Sequence, residues 1–187
     1  LCLPPFGEEM NKSRRMLARI GRRIASQGGY FLLPDLTGTG DSYGDFADAD
    51  LTVWRRDIEF CVEYLRQKGV AAVDIFALRA GSLLLEAACK HESEYRIVLC
   101  NPLLAGSTMI NQLLRIKIAA DMANDHKSTA AEIRAEVAAG KHVEISGYPI
   151  TAALLESFDA AQMTADIPGS DVSVLWLEIG ALSERPP

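Results

Sequence analysis

The stretch Ala77-Leu78-Arg79-Ala80-Gly81 carries the most chemical information in this chain. It ends an apolar run, Val73 to Ala77, and leads at once into a helical pattern from Ser82 to Lys90. That order predicts a sharp strand-to-helix turn. Small residues at Ala77, Ala80 and Gly81 suit such a turn, because strand and helix approach closely there. A turn of this frame displays its central side chain above the sheet, and in acyl-transfer enzymes that side chain is a nucleophilic serine. Here it is Arg79. A guanidinium stays protonated and has no lone pair to attack a carbonyl carbon, so its chemistry is the binding of a carboxylate or phosphate. An exposed or salt-bridged arginine on an ordinary loop is an equal reading. Ser82 falls in the first helical turn, where serine caps or fills, and is not expected to be a displaced nucleophile.

The other chemically suggestive residues fall around this turn. Pro4-Pro5-Phe6-Gly7 follows the first strand, where a loop can lend a backbone N–H to an oxyanion; the matching donors are Phe6 and Ala80. A proline-stiffened loop without that role reads equally well. Glu178 closes a strand at a position suited to a catalytic acid, though a lone surface glutamate is common. His91, His126 and His142 precede Glu178 in the chain, the wrong order for a triad base, and they lack metal-ligand spacing. The loop Asp35-Leu36-Thr37-Gly38-Thr39-Gly40-Asp41-Ser42 lacks the Gly-Lys-Ser/Thr ending of a phosphate loop and the GxGxxG pattern, so its glycines are read as turn formers. No cofactor and no metal are expected.

The elements that must position these residues alternate. Leu1 to Leu3 predicts the tail of a strand stopped by Pro4-Pro5. A helix is expected from Asn11 or Ser13 to about Gln27, with Met16, Leu17, Ile20 and Ile24 inward. Tyr30 to Leu33 predicts a buried strand. Asp50 caps a helix from Leu51 to Lys68 that buries Trp54, Ile58, Cys61 and Leu65. Strands follow at Val73–Ala77, Arg96–Cys100 and Asp171–Leu177. From Gly106 to about Thr164 strand signals vanish, and three helices are expected at 108–122, 129–139 and 151–162. The expectation is an α/β-hydrolase fold: a mostly parallel sheet with helices on both faces and a helical cap insertion, truncated at both ends. Its division is 1–105 core, 106–165 cap, and 166–187 return to the core. Catalysis in such sheets gathers at the carboxyl ends of the strands.

The chain has 187 residues, a net charge of -6 and 49% apolar residues, which suits one domain with a buried core. No apolar run is long enough to span a membrane, and Leu1-Cys2-Leu3 running straight into Pro4-Pro5 leads to the expectation of no signal peptide. Cys2, Cys61, Cys89 and Cys100 show no CxxC spacing and are read as reduced thiols of a cytoplasmic protein. Lys12, Arg14, Arg15, Arg19, Arg22 and Arg23 make the first helix basic; a solvated face is preferred to a nucleic-acid patch, and no nucleic-acid partner is expected.

Two long stretches resemble a known family. Pro4-Pro5-Phe6-Gly7-Glu8-Glu9-Met10-Asn11-Lys12-Ser13-Arg14-Arg15-Met16 is similar to the hallmark of the exosortase A system-associated hydrolase 2 family, within the α/β-hydrolase superfamily. Asp35 to Ser42 with Gly44-Asp45-Phe46, the turn Leu78-Arg79-Ala80-Gly81, and Trp176-Leu177-Glu178 resemble its later signatures. The resemblance implies a bacterial protein in the setting of exopolysaccharide production and sorting of proteins with a PEP-CTERM tail. It implies a hydrolase by fold, while the elbow arginine speaks against serine catalysis. Two functions follow as expectations: a hydrolase or acyltransfer enzyme acting on an ester or related acyl group, or a catalytically inactive binding or accessory protein that holds an anionic ligand through Arg79. The oligomeric state is not legible.

Overall fold

The computed structural model describes residues 1–90, 94–164, 166–169 and 171–179. Along the chain run β1 (Cys2–Leu3), α1 (Gly7–Ala25), α2 (Leu51–Gln67), β2 (Ile75–Leu78), α3 (Leu85–Ala88), β3 (Glu94–Cys100), α4 (Gly106–Ala123), α5 (Ala130–Ala138), β4 (Val143–Ile145), β5 (Tyr148–Ile150), α6 (Ala152–Asp159) and β6 (Asp171–Leu177). Short 3-10 turns cover Phe46–Asp48 and Arg79–Leu84. The chain divides into two compact units, one of residues 1–34, 58–103 and 163–187, the other of residues 35–57 and 104–162. Residues 35–57 fall in the second unit together with 104–162.

The first unit holds a four-stranded parallel sheet in the order β1-β2-β3-β6, the α/β architecture expected. Parallel strands need long crossovers, and the helices between these strands supply them. Residues 30–33 do not form the expected strand. They make one backbone bond to the sheet, from Cys2 N–H to the Leu32 carbonyl at 2.8 Å. With β1 only two residues long, Cys2 is the position whose N–H faces away from β2, so no ladder can grow there. Phe31 and Leu33 still pack against the buried cluster of Cys2, Met10, Leu17 and Leu78.

Helix α1 begins at Gly7, earlier than either start expected from sequence. Gly7 takes φ 60°, which turns the chain out of Pro4-Pro5-Phe6, and Glu8 and Glu9 in the first turn complement the helix dipole. Its buried residues are Gly7, Met10 and Leu17, while Met16, expected inside, is 43% exposed. Helix α2 follows expectation: the Asp50 carboxylate accepts the Val53 N–H at 2.8 Å, and Trp54, Ile58, Cys61 and Leu65 are buried. Strand β6 is an edge strand of the described sheet, with Val174, Leu175 and Leu177 largely exposed.

The second unit corrects one further expectation. Between α5 and α6 lies an antiparallel hairpin, β4 with β5, in the gap between two expected helices where no strand signal was read. Ser146 and Gly147 both have positive φ, 53° and 86°, which suits the two-residue turn whose twist matches its strands. The aromatic core of this unit packs Phe46 against Tyr148, rings tilted 57° to each other with centroids 4.9 Å apart, and sets Trp54 edge-on to Phe158 at 6.1 Å. No helix of the described residues is long and apolar enough to cross a membrane.

Candidate functional site

The topology selects a place before any side chain is considered. From β1 the chain passes to residues 30–33 on one flank and later returns to β2 on the other. From β2 the chain goes on to β3, away from β1, and where neighbouring parallel strands send their connections to opposite flanks, candidate sites lie at their carboxyl ends. At this edge lie Pro4 to Phe6 after β1, Arg79 after β2, Asn101 after β3 and Glu178 after β6.

Arg79 is the first residue past β2 and has φ 52°. A non-glycine residue in the left-handed region carries backbone strain on the order of 1–3 kcal/mol and persists only where its surroundings hold it. Two contacts do so. The Arg79 carbonyl accepts the Leu103 N–H at 3.3 Å and lies 2.9 Å from the Ser82 hydroxyl. Gly81, two residues on, has no room for a side chain, because a Cβ there would overlap the Leu3 carbonyl oxygen and press on that of Pro4. The turn is therefore seated directly on the exit of β1.

The Arg79 side chain reaches across the same edge. Its Nε and Nη2 each lie 3.0 Å from Glu9 Oε1, and Nη1 donates to the Asn101 carbonyl at 3.3 Å. Both side chains of the pair are mostly covered, 20% and 29% exposed. Glu9 Oε2 is buried and accepts no hydrogen bond among the described residues. The pair is thus a two-nitrogen contact on one carboxylate oxygen, with the other oxygen enclosed beside it. Sequence reasoning missed Glu9. Its signal was position: the third residue after Phe6, in the first turn of the helix that leaves this edge.

The other expected site residues fall as follows. Phe6, extended at φ -120°, stands immediately before α1 and is 4% exposed; Ala80 is equally covered. Both therefore lie at the β1–β2 end of the edge, on the two segments that meet at Gly81. Glu178 follows Leu177, the register partner of Cys100, so it flanks Asn101, whose N–H donates to the Leu177 carbonyl at 2.6 Å. It is exposed and makes no ion pair or hydrogen bond among the described residues. The arginine's carboxylate partner is Glu9 rather than Glu178.

Ser82 is fully buried. Its hydroxyl lies 2.7 Å from the Leu103 carbonyl and accepts the Leu103 N–H at 3.1 Å, so it stitches the turn to the segment after β3. His126 and His142 are exposed on the second unit, and His91 lies outside the described residues. Among the described residues no group of three or more His, Cys, Asp or Glu side chains could hold a metal ion. The loop from Asp35 to Ser42 is bound up internally: Thr37 donates from N and Oγ1 to Asp57 at 2.7 and 3.0 Å, and Asp41 N–H donates to the Asp35 carboxylate at 3.2 Å. Gly38 and Gly40 take φ 74° and 54°, as turn glycines do.

No family model matches the chain, and no curated protein matches it.

Proposed function

We propose that this chain is an α/β-hydrolase-fold protein of the exosortase A system-associated hydrolase 2 kind, with a helical cap over 106–165, acting on an ester or related acyl substrate in bacterial exopolysaccharide production and PEP-CTERM sorting. The reading takes the protein to be cytoplasmic. The observation that carries it is the turn at Arg79: left-handed at its tip, directly after a central parallel strand, and so tight that Gly81 rests on the Leu3 carbonyl. These features support reading the turn as a nucleophile elbow. The elbow lacks a nucleophile, so the acyl carbon is attacked by water. A carboxylate takes the water's proton and returns it to the leaving oxygen or sulfur as the acyl bond breaks, releasing the carboxylic acid and the alcohol or thiol; Glu178 is the exposed candidate at this edge, and the N–H groups of Phe6 and Ala80 are the candidate donors to the oxyanion.

The test is turnover of short and long acyl esters and thioesters by full-length protein. Hydrolysis that falls about 100-fold or more in Glu178→Ala or Arg79→Ala supports the enzyme with that site. Turnover unchanged in both moves the chemistry elsewhere.

A second reading is favoured by the Arg79–Glu9 pair and by the burial of Ser82. With its guanidinium satisfied internally and no hydroxyl on offer, the site can be a catalytically inactive receptor in which a ligand carboxylate or phosphate displaces Glu9. No turnover, together with binding of a carboxylate-bearing acyl compound that Arg79→Ala abolishes and Glu9→Ala tightens, selects this reading.

A further inference from the structure

We infer that the outer face of α1 is a docking surface for an anionic lipid membrane. Lys12, Arg15, Arg19, Arg22 and Arg23 are all exposed, and at helical spacing they fall within one stripe about 100° wide, opposite the buried Met10 and Leu17. The stripe runs about 16 Å along the helix. No acidic residue occurs between Glu9 and Asp35, and none of the five cations is in an ion pair among the described residues. This differs from an ordinary solvated face, where opposite charges alternate at i,i+4. Here Arg15–Arg19 and Arg19–Arg23 are like-charge i,i+4 pairs, which weaken a helix rather than support it. On a chain of net charge -6 the stripe is a local reversal of sign, so its complement is a dense array of negative charge.

The neighbouring side chains favour lipid over nucleic acid. Met16, 43% exposed, sits beside Lys12, Arg19 and Arg23 and offers an apolar contact amid cations, as interfacial helices do. No aromatic side chain interrupts the stripe to stack on a base. One straight convex helix face matches a flat surface of headgroup phosphates. Guanidinium groups bind such phosphates through paired N–H donors.

The test is co-sedimentation of the full chain with vesicles of phosphatidylcholine, with and without a large fraction of phosphatidylglycerol. Binding is expected only to the anionic vesicles and is lost at high salt. Each cation near an anionic surface contributes roughly fivefold to partitioning, so Arg15→Gln/Arg19→Gln/Arg23→Gln weakens binding roughly 100-fold. These residues are exposed, and a melting temperature no lower than that of the wild type verifies that the triple variant is folded. The inference is overturned by equal binding to neutral vesicles, by no binding to either, or by undiminished binding of the triple variant. It is also overturned if a DNA or RNA oligonucleotide binds more tightly than the anionic vesicles and strips the protein from them, which makes the stripe a nucleic-acid surface.

Discussion

Arg79 Nε and Nη2 both lie 3.0 Å from a single oxygen of Glu9, so the tip of the β2 turn is tied to the first turn of α1 across the carboxyl edge of the sheet. The pair is mostly covered, which lifts it above the small contribution of exposed ion pairs. A double-mutant cycle with Glu9→Gln and Arg79→Met is expected to give a coupling free energy of about 1–2 kcal/mol in denaturant unfolding. A coupling near zero shows that the two side chains are held independently, and the site then loses its internal carboxylate.

The φ of 52° at Arg79 gives a second prediction that separates backbone from side chain. Arg79→Gly and Arg79→Ala both remove the ion pair, but glycine adopts the left-handed region without the Cβ clash. Arg79→Gly should therefore be more stable than Arg79→Ala by about 1 kcal/mol, the reverse of their order at a helical site. Thermal melts of the two variants decide this. If alanine is the more stable, the turn relaxes out of the left-handed region and the elbow reading fails with it.

What was legible in the sequence was what side-chain pattern and turn chemistry dictate locally. The frame around Arg79 predicted the tight turn, and the structure adds its cause, Gly81 against the Leu3 carbonyl. Asp50 and the Trp54–Leu65 face marked α2 because capping and 3.6-residue periodicity agreed. The hairpin at 143–150 escaped because three-residue strands barely establish alternation, although Ser146-Gly147 was a turn signal between them. The strand expected at 30–33 failed for a reason outside its own residues: its neighbour β1 is two residues long. That Glu9 escaped notice, while Glu178 was singled out as a candidate acid, had the same origin. Sequence order pointed to the end of the last strand, while the contact depends on which strand ends lie side by side.

Asp121 supplies a pH prediction. The Lys117 ammonium bonds its carboxylate at 2.6 Å, the Ser128 hydroxyl bonds it at 2.6 Å, and together they hold its pKa below the ordinary 3.8. A folded-state pKa that is depressed favours the folded chain at pH values above 3.8. That contribution disappears as pH falls below 3.8 and through the lower folded value. Wild type should therefore lose melting temperature more steeply than Asp121→Asn in this acid window, with the two curves parallel above it. Parallel curves throughout show that the carboxylate is not selectively stabilised in the folded state.

Thiol reactivity gives the last test, and it reads the fold of the first unit. Burial pushes the Cys2 and Cys89 thiols up to about 12, because the thiolate is costly away from water. Both are fully buried, whereas Cys100, at the end of β3, is half-buried. An alkylating reagent attacks the thiolate, so at pH 8 the folded protein should be labelled at Cys100 well before Cys2 or Cys89, as resolved by peptide mass spectrometry. In denaturant all four cysteines should label at similar rates, since each then has the ordinary thiol pKa. Cys2 is the sharper probe, because it is central to the cluster of Met10, Leu17 and Leu78 that seats α1 against the strand bearing Arg79. Rapid labelling of Cys2 in the native protein means that β1 opens, and the carboxyl edge that carries Phe6 and Arg79 cannot then be a preformed site.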